Sequence, residues 1–294
     1  MPSDENGRSS SSHPTSPPSS GGPPPSSTSE PPPAELVAWG PVRDAITAIH
    51  NLETLLKSPR IGAKVLADVL PELWVGTGVL RSAFTNAAQG AKGEEARAAR
   101  GRLVMFTLAR LDELEHPMRA STSDLDTRAR LSLEQVVTRV SVDLDACTEL
   151  LDLAERAEHV LPTELALEEL ARVSMRGKPR GAEHGISVRL ALDEDHCVLR
   201  ADPHVFKRLV VFSVARVHAA GAAAVTIRIR CAADRASIEV GATTDAELVL
   251  PTMTMRLVRR IEPTDAIVDA AARDASIDEV VSGTSVVLSV PRVA

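Results

Sequence analysis

Between residues 35 and 158 the apolar positions recur every three or four residues, a period that predicts amphipathic helices with one buried stripe each. The first, about 35–57, carries Val42, Ala45, Ile46, Ile49, Leu52 and Leu56 on that stripe. Ser58-Pro59 ends it, because proline has no N–H to donate and crowds the preceding turn. A second helical stretch, about 61–88, is expected to break near Pro71 and between Gly76 and Gly78. A third, about 94–115, is expected to bury Leu103, Phe106, Ala109, Leu111 and Leu114 and to end at His116-Pro117. Ser123 or Asp124 can cap a fourth, which runs to about 158 through Leu131, Val136, Val140, Leu144, Cys147, Leu150 and Leu151. Four such helices on short loops imply a bundle.

The period then drops to two. Ile186, Val188, Leu190 and Leu192 alternate, followed by Val225, Ile227 and Ile229, by Ile238 and Val240, and by Val286, Leu288 and Val290. These are strands with one buried face. A helix at about 203–218 separates the first two sets, and another at about 253–261 precedes the last. The expected fold is α + α/β: a helical bundle at 34–158 followed by an α/β sandwich at 163–294, with helices covering a mixed sheet. Residues 1–33 stand apart. Ser, Pro and Gly fill 24 of those positions, too few apolar groups to offset the entropy of ordering, so a disordered tail is expected there.

Composition narrows the function. A net charge of -7 and an aromatic content of 2% argue against nucleic-acid binding through basic charge or base stacking. No apolar run approaches a membrane span and no signal-peptide core opens the chain, so a cytoplasmic protein is expected. Cys147, Cys197 and Cys231 are odd in number and widely spaced, and read as reduced thiols. His184, His196, His204 and Cys197 share a short stretch but have no zinc-ligand spacing, so no metal is expected. Asp143/Asp145 and Asp193/Asp195 read as solvated acidic pairs, and Arg256, Arg259 and Arg260 as a basic helix face.

Taken together, His50-Asn51-Leu52-Glu53-Thr54-Leu55-Leu56 resembles the H-box of sensor histidine kinases. Asp152 to Glu155 resembles the end of that family's second bundle helix, and Leu165 to Val173 the segment leading into its ATPase-like domain. Asp202 with the helix Phe206 to Val217 resembles the N-box region, Leu257 to Ile261 the later helix, and Gly283-Thr284-Ser285-Val286 the closing strand. The resemblance spans roughly 40 to 291 and implies a phosphoacceptor at His50, with Asn51 accepting a hydrogen bond from the ring and Thr54 positioning water one turn on.

The departures fall on the nucleotide. Where the family has two N-box asparagines for magnesium, this chain has Phe212 and Arg216, neither an oxygen ligand. Ala242-Thr243-Thr244-Asp245-Ala246 replaces the adenine-recognising Asp-x-Gly-x-Gly, and Leu250-Pro251-Thr252-Met253 replaces the second glycine-rich box. The resemblance therefore implies a degenerate member with no ATP cofactor. Such a protein would serve as a histidine phosphotransfer protein or pseudokinase adaptor for a response-regulator receiver domain. An interaction scaffold and a divergent active kinase are the alternatives, and His116 is the second candidate acceptor. The family builds its bundle from two chains, so a homodimer is possible. Here, however, the hairpin at about 61–117 could let one chain complete four helices.

Overall fold

In a computed structural model, residues 39–58, 63–120, 127–166, 183–192 and 197–293 are described, and Glu35–Ala294 forms one compact unit. The expected tail, most of the segment read as Leu165 to Val173, Ser123, Asp124, Asp193, Asp195 and His196 lie outside the described residues.

Four helices open the fold: α1 (Trp39–Lys57), α2 (Ala63–Gln89), α3 (Glu94–Ala120) and α4 (Thr127–His159). The α1 stripe Val42, Ala45, Ile46, Ile49, Leu52 and Leu56 is buried, as the spacing predicts. α1 packs on α2 and α4, and α3 packs on the same two, so a single chain closes the four-helix bundle. The expected breaks in the second and third helices do not occur. α2 runs through Pro71, and α3 runs through Pro117 to Ala120. Each proline costs one backbone hydrogen bond, but Leu70, Leu73, Leu80 and Phe84 in α2, and Leu111, Leu114 and Met118 in α3, are almost wholly buried. Tertiary burial outweighs the local penalty. Gly76 faces α1, and a Cβ there would lie 3.4 Å from the Ala45 side chain, an ordinary van der Waals contact.

Among the described residues there follow β1 (Thr163–Ala166), β2 (Glu183–Leu192), β3 (Val198–Ala201), α5 (Pro203–Ala219), β4 (Val225–Cys231), β5 (Arg235–Ala242), a short 3-10 turn at Asp245–Glu247, β6 (Thr252–Leu257), α6 (Thr264–Asp274), β7 (Asp278–Ser282) and β8 (Ser285–Pro291). The main sheet has the order β6-β2-β4-β5-β8-β7, and β1 and β3 form a separate pair. β2 and β4 run parallel while the other neighbours are antiparallel, so the sheet is mixed. Asp202 caps α5, its carboxylate accepting from the N–H groups of His204 at 3.0 Å and Val205 at 2.8 Å, with Pro203 in the first turn. α5 covers the sheet, and α6 packs on β7 as well as on α3 and α4 of the bundle.

Two expectations are overturned here. The helix predicted at about 253–261 is the edge strand β6, paired with β2 so that Met253 faces Val188 and Met255 faces Ile186. Thr-Met-Thr-Met-Arg-Leu alternates with period two, and burial of Met253, Met255 and Leu257 follows that alternation. The helix lies further on, at α6, where Ile267, Val268, Ala271 and Ala272 are buried. The cysteines are not all reduced thiols: Cys197 and Cys231 form a disulfide that joins the start of β3 to the end of β4. Their separation of 34 residues hid the pairing, which needed the sheet to bring the two Cα atoms to 6.5 Å. Cys147 remains a free thiol, pushed up to about 12 by burial in the bundle. With two cysteines bridged, thiol usage no longer argues for a reducing compartment. Among the described residues, no helix is long and apolar enough to cross a membrane.

Candidate functional site

His50 lies at the edge of the buried α1 stripe, where α1 meets α4. Its Nε2 donates to Asp145 Oδ2 of α4 at 2.8 Å, and its Nδ1 stands 3.7 Å from Glu53 Oε2, one turn along α1. The hydrogen bond to Asp145 raises the imidazole above its ordinary value. Partial burial opposes the rise, and the charges of Asp145 and Glu53 reinforce it. Glu53 is itself held from three sides. It accepts from Thr138 Oγ1 at 3.2 Å and Ser141 Oγ at 3.3 Å, both on α4, and pairs with Lys57. Burial pushes its carboxyl up, but Lys57 and the two hydroxyls more than compensate, and the net shift is downward.

Asn51 and Thr54, the other two residues singled out in the H-box-like segment, are both exposed. The Thr54 hydroxyl donates to the backbone carbonyl of His50 at 3.0 Å, inside the helix ladder. The groups set against the ring nitrogens are Asp145 and Glu53, and spacing along the chain could not pair His50 with a residue 95 positions away. The reading of Asp143 and Asp145 as a solvated pair is wrong for Asp143, while Asp145 is part-exposed and also bonded to the His50 ring. Asp143 is buried and ion-paired to Arg259 at 2.9 Å, with Arg110 at 3.7 Å, and Asp145 holds His50. His116 is exposed on α3, and His204 at the start of α5.

At the far end of the fold, Phe212 is buried in the core of α5. Arg216, one turn on, is surrounded by carboxylates. Its Nε donates to Asp265 Oδ1 at 3.1 Å, its Nη2 donates to the Asp265 carbonyl at 3.2 Å, and it forms ion pairs with Asp269 and Glu279. Burial lowers the guanidinium pKa, but those three acids raise it further, so the charge is locked in place. Arg216, Asp265 and Asp269 line a cavity of about 400 Å³ together with Val217, Arg260 and Gly283. Ala242 is exposed at the end of β5, and the following loop is tied by Thr244 and Glu247, which form a capping box. Leu250-Pro251 leads directly into β6, with Arg189 donating to the Leu248 carbonyl at 2.8 Å and to Thr252 Oγ1 at 2.7 Å. The predicted basic helix face does not exist. Arg256 lies on β6, while Arg259 and Arg260 follow it and bind Asp143 and Asp265. Among the described residues no group of three or more His, Cys, Asp or Glu could hold a metal ion.

The sequence matches no protein-family model and no curated protein. Among solved structures, the chain is similar to the Acinetobacter baumannii histidine kinase AdeS at 12% identity and a TM-score of 0.29, over 65% of this chain and 94% of that one. It is also similar to a histidine kinase from Burkholderia phymatum STM815 at 18% identity and a TM-score of 0.30, over 68% and 98% of the respective chains.

Proposed function

We propose that this protein passes a phosphoryl group between His50 and the aspartate of a response-regulator receiver domain, without using ATP. The observation that carries the reading is the imidazole at the α1–α4 edge of a bundle completed by one chain, bracketed by Asp145 and Glu53. A histidine serves as a phosphoryl carrier when one ring nitrogen attacks phosphorus while the other keeps its proton on an oriented acceptor. In the forward step the P–O bond of the aspartyl phosphate breaks, a P–N bond forms at His50 and the receiver's carboxylate leaves. The metal that assists belongs to the receiver. The absence of ATP chemistry rests on Arg216, neutralised by three acids where magnesium would need oxygen ligands, and on Phe212 buried at the companion position.

The test is radiolabel transfer from phosphorylated receiver domains to the wild-type chain and to His50→Ala. Label is expected on the wild type and lost in the variant at unchanged folding, with no labelling of either from ATP and magnesium. A scaffold without chemistry is the second reading, favoured by the ion pairs that fasten the sandwich to the bundle, Arg259 to Asp143 and Arg208 to Asp152. An unlabelled wild-type chain that still binds receiver domains would establish it in place of phosphotransfer.

A further inference from the structure

We infer that Asp145 is a gate on His50, a carboxylate that must swing away before the ring can accept a phosphoryl group, and that Glu53 is the positioning residue that readies the ring once the gate opens. The inference rests on the phosphotransfer reading and concerns the control of that same site.

The geometry separates the two carboxylates. The His50 side chain keeps 13% of its surface open, but Nδ1 is sealed from solvent. Nε2 is therefore the nitrogen that a phosphorus atom can reach, and it is the one bound by Asp145 at 2.8 Å. A donated N–H leaves no lone pair on Nε2, and the Asp145 oxygen stands on the line of attack. Asp145 is 36% exposed, with room to rotate into solvent. Glu53 differs: it is 13% exposed, and Thr138, Ser141 and Lys57 fix it. Its anion beside Nδ1 favours the tautomer with the proton on Nδ1, which puts the lone pair on Nε2.

Among the described residues, the charged groups bearing on the ring include Glu53 with Lys57 on α1 and Asp145 on α4. Glu149 lies one turn beyond Asp145 and is flanked by Arg208 and Lys207 of α5. While Asp145 is in place the ring holds its second proton more tightly than a free imidazole. Opening the gate releases the Nε2 proton to solvent and exposes the lone pair.

Phosphoramidate, a small phosphodonor that needs no receiver domain, tests this on the full chain. The ring's Nε2 attacks phosphorus, the P–N bond of phosphoramidate breaks, ammonia leaves, and Nδ1 keeps its proton beside Glu53. At about pH 7, Asp145→Ala is expected to label roughly fivefold faster than wild type, the factor set by an exposed ion pair of about 1 kcal/mol. Asp145→Asn, which preserves shape without charge, should fall between them. The rise of labelling with pH should move to lower pH in both variants, and Glu53→Gln should label more slowly than wild type. Phosphorus NMR is expected to show the Nε2 phosphohistidine. If both Asp145 variants label at the wild-type rate or slower while His50→Ala stays blank, or if the product is the Nδ1 isomer, the gate is wrong and the phosphotransfer reading stands. If neither wild type nor Asp145→Ala carries phosphate on His50, both fall.

Discussion

His50 and Glu53 sit one turn apart on α1, and their titrations are displaced in opposite directions, His50 upward from 6.5 and Glu53 downward from 4.5. By linkage, each shift makes stability depend on pH with a definite sign. The folded state holds the His50 proton more tightly than the unfolded chain. Its contribution is full below about 6.5 and disappears as pH rises through the raised value. The folded state holds the Glu53 proton less tightly, so that contribution is present above about 4.5 and is lost as pH falls through the lowered value. Urea unfolding across pH is expected to show a decline in stability as pH rises above about 6.5, and Asp145→Ala should flatten that decline while leaving the acid limb in place. Both limbs unchanged in the variant would mean that Asp145 does not hold the ring in solution. Glu53 was legible as part of an H-box-like segment, yet the bond between Asp145 and the ring was not, because the two residues lie on different helices.

At the scale of elements, α5 is defined by the face it buries against the sheet. Its buried face is Val205, Phe206, Leu209, Val210, Phe212, Val214 and Val217, so Phe212 packs in the core instead of pointing an oxygen at a cation. Truncating a buried phenylalanine costs about 3–5 kcal/mol through lost transfer energy and the cavity left behind. Phe212→Ala is expected to fall in that range by chemical denaturation. A loss near zero would show that the site is not packed as described. β6 carries a complementary lesson. Its Met253, Met255 and Leu257 alternate, but the run is short and was read as a helix, and only pairing with β2 decides the assignment. Pro71 and Pro117 were read as ends for the same reason in reverse: a local penalty is visible along the chain, and the burial that outweighs it is not.

For the whole molecule, α4 is the common wall between bundle and sandwich. Its Asp152 is buried and binds Arg43 of α1 at 3.3 Å, Arg156 of its own helix at 3.2 Å and Arg208 of α5 at 2.9 Å. Asp143, two turns earlier, binds Arg259 from the β6–α6 connection. The sandwich is thus fastened along α4, with Asp152 two turns beyond Asp145 on the side of the helix that His50 meets and Asp143 on another. A buried carboxylate that loses its principal cation costs about 1–3 kcal/mol. Arg259→Ala is expected to lose stability by that amount, and Arg259→Ala with Asp143→Ala should recover part of it, because no charge is then left buried. A double variant no better than the sum of the singles would show that the pair is not coupled.

Periodicity by itself determined the kind of most of the described elements, helices first and then strands around a central helix, and it placed the α1 stripe and the inward residues of β4, β5 and β8; on β2 it also put Leu192 inward, where the side chain is exposed. Those faces are local facts, because side-chain direction repeats every 3.6 or two residues along the chain. Only the tertiary structure decided what each polar residue meets. It set Asp145 against His50, surrounded Arg216 with Asp265, Asp269 and Glu279, and joined Cys197 to Cys231. Each of these joins positions at least 34 residues apart, and no repeat along the chain encodes which distant partner the fold will deliver.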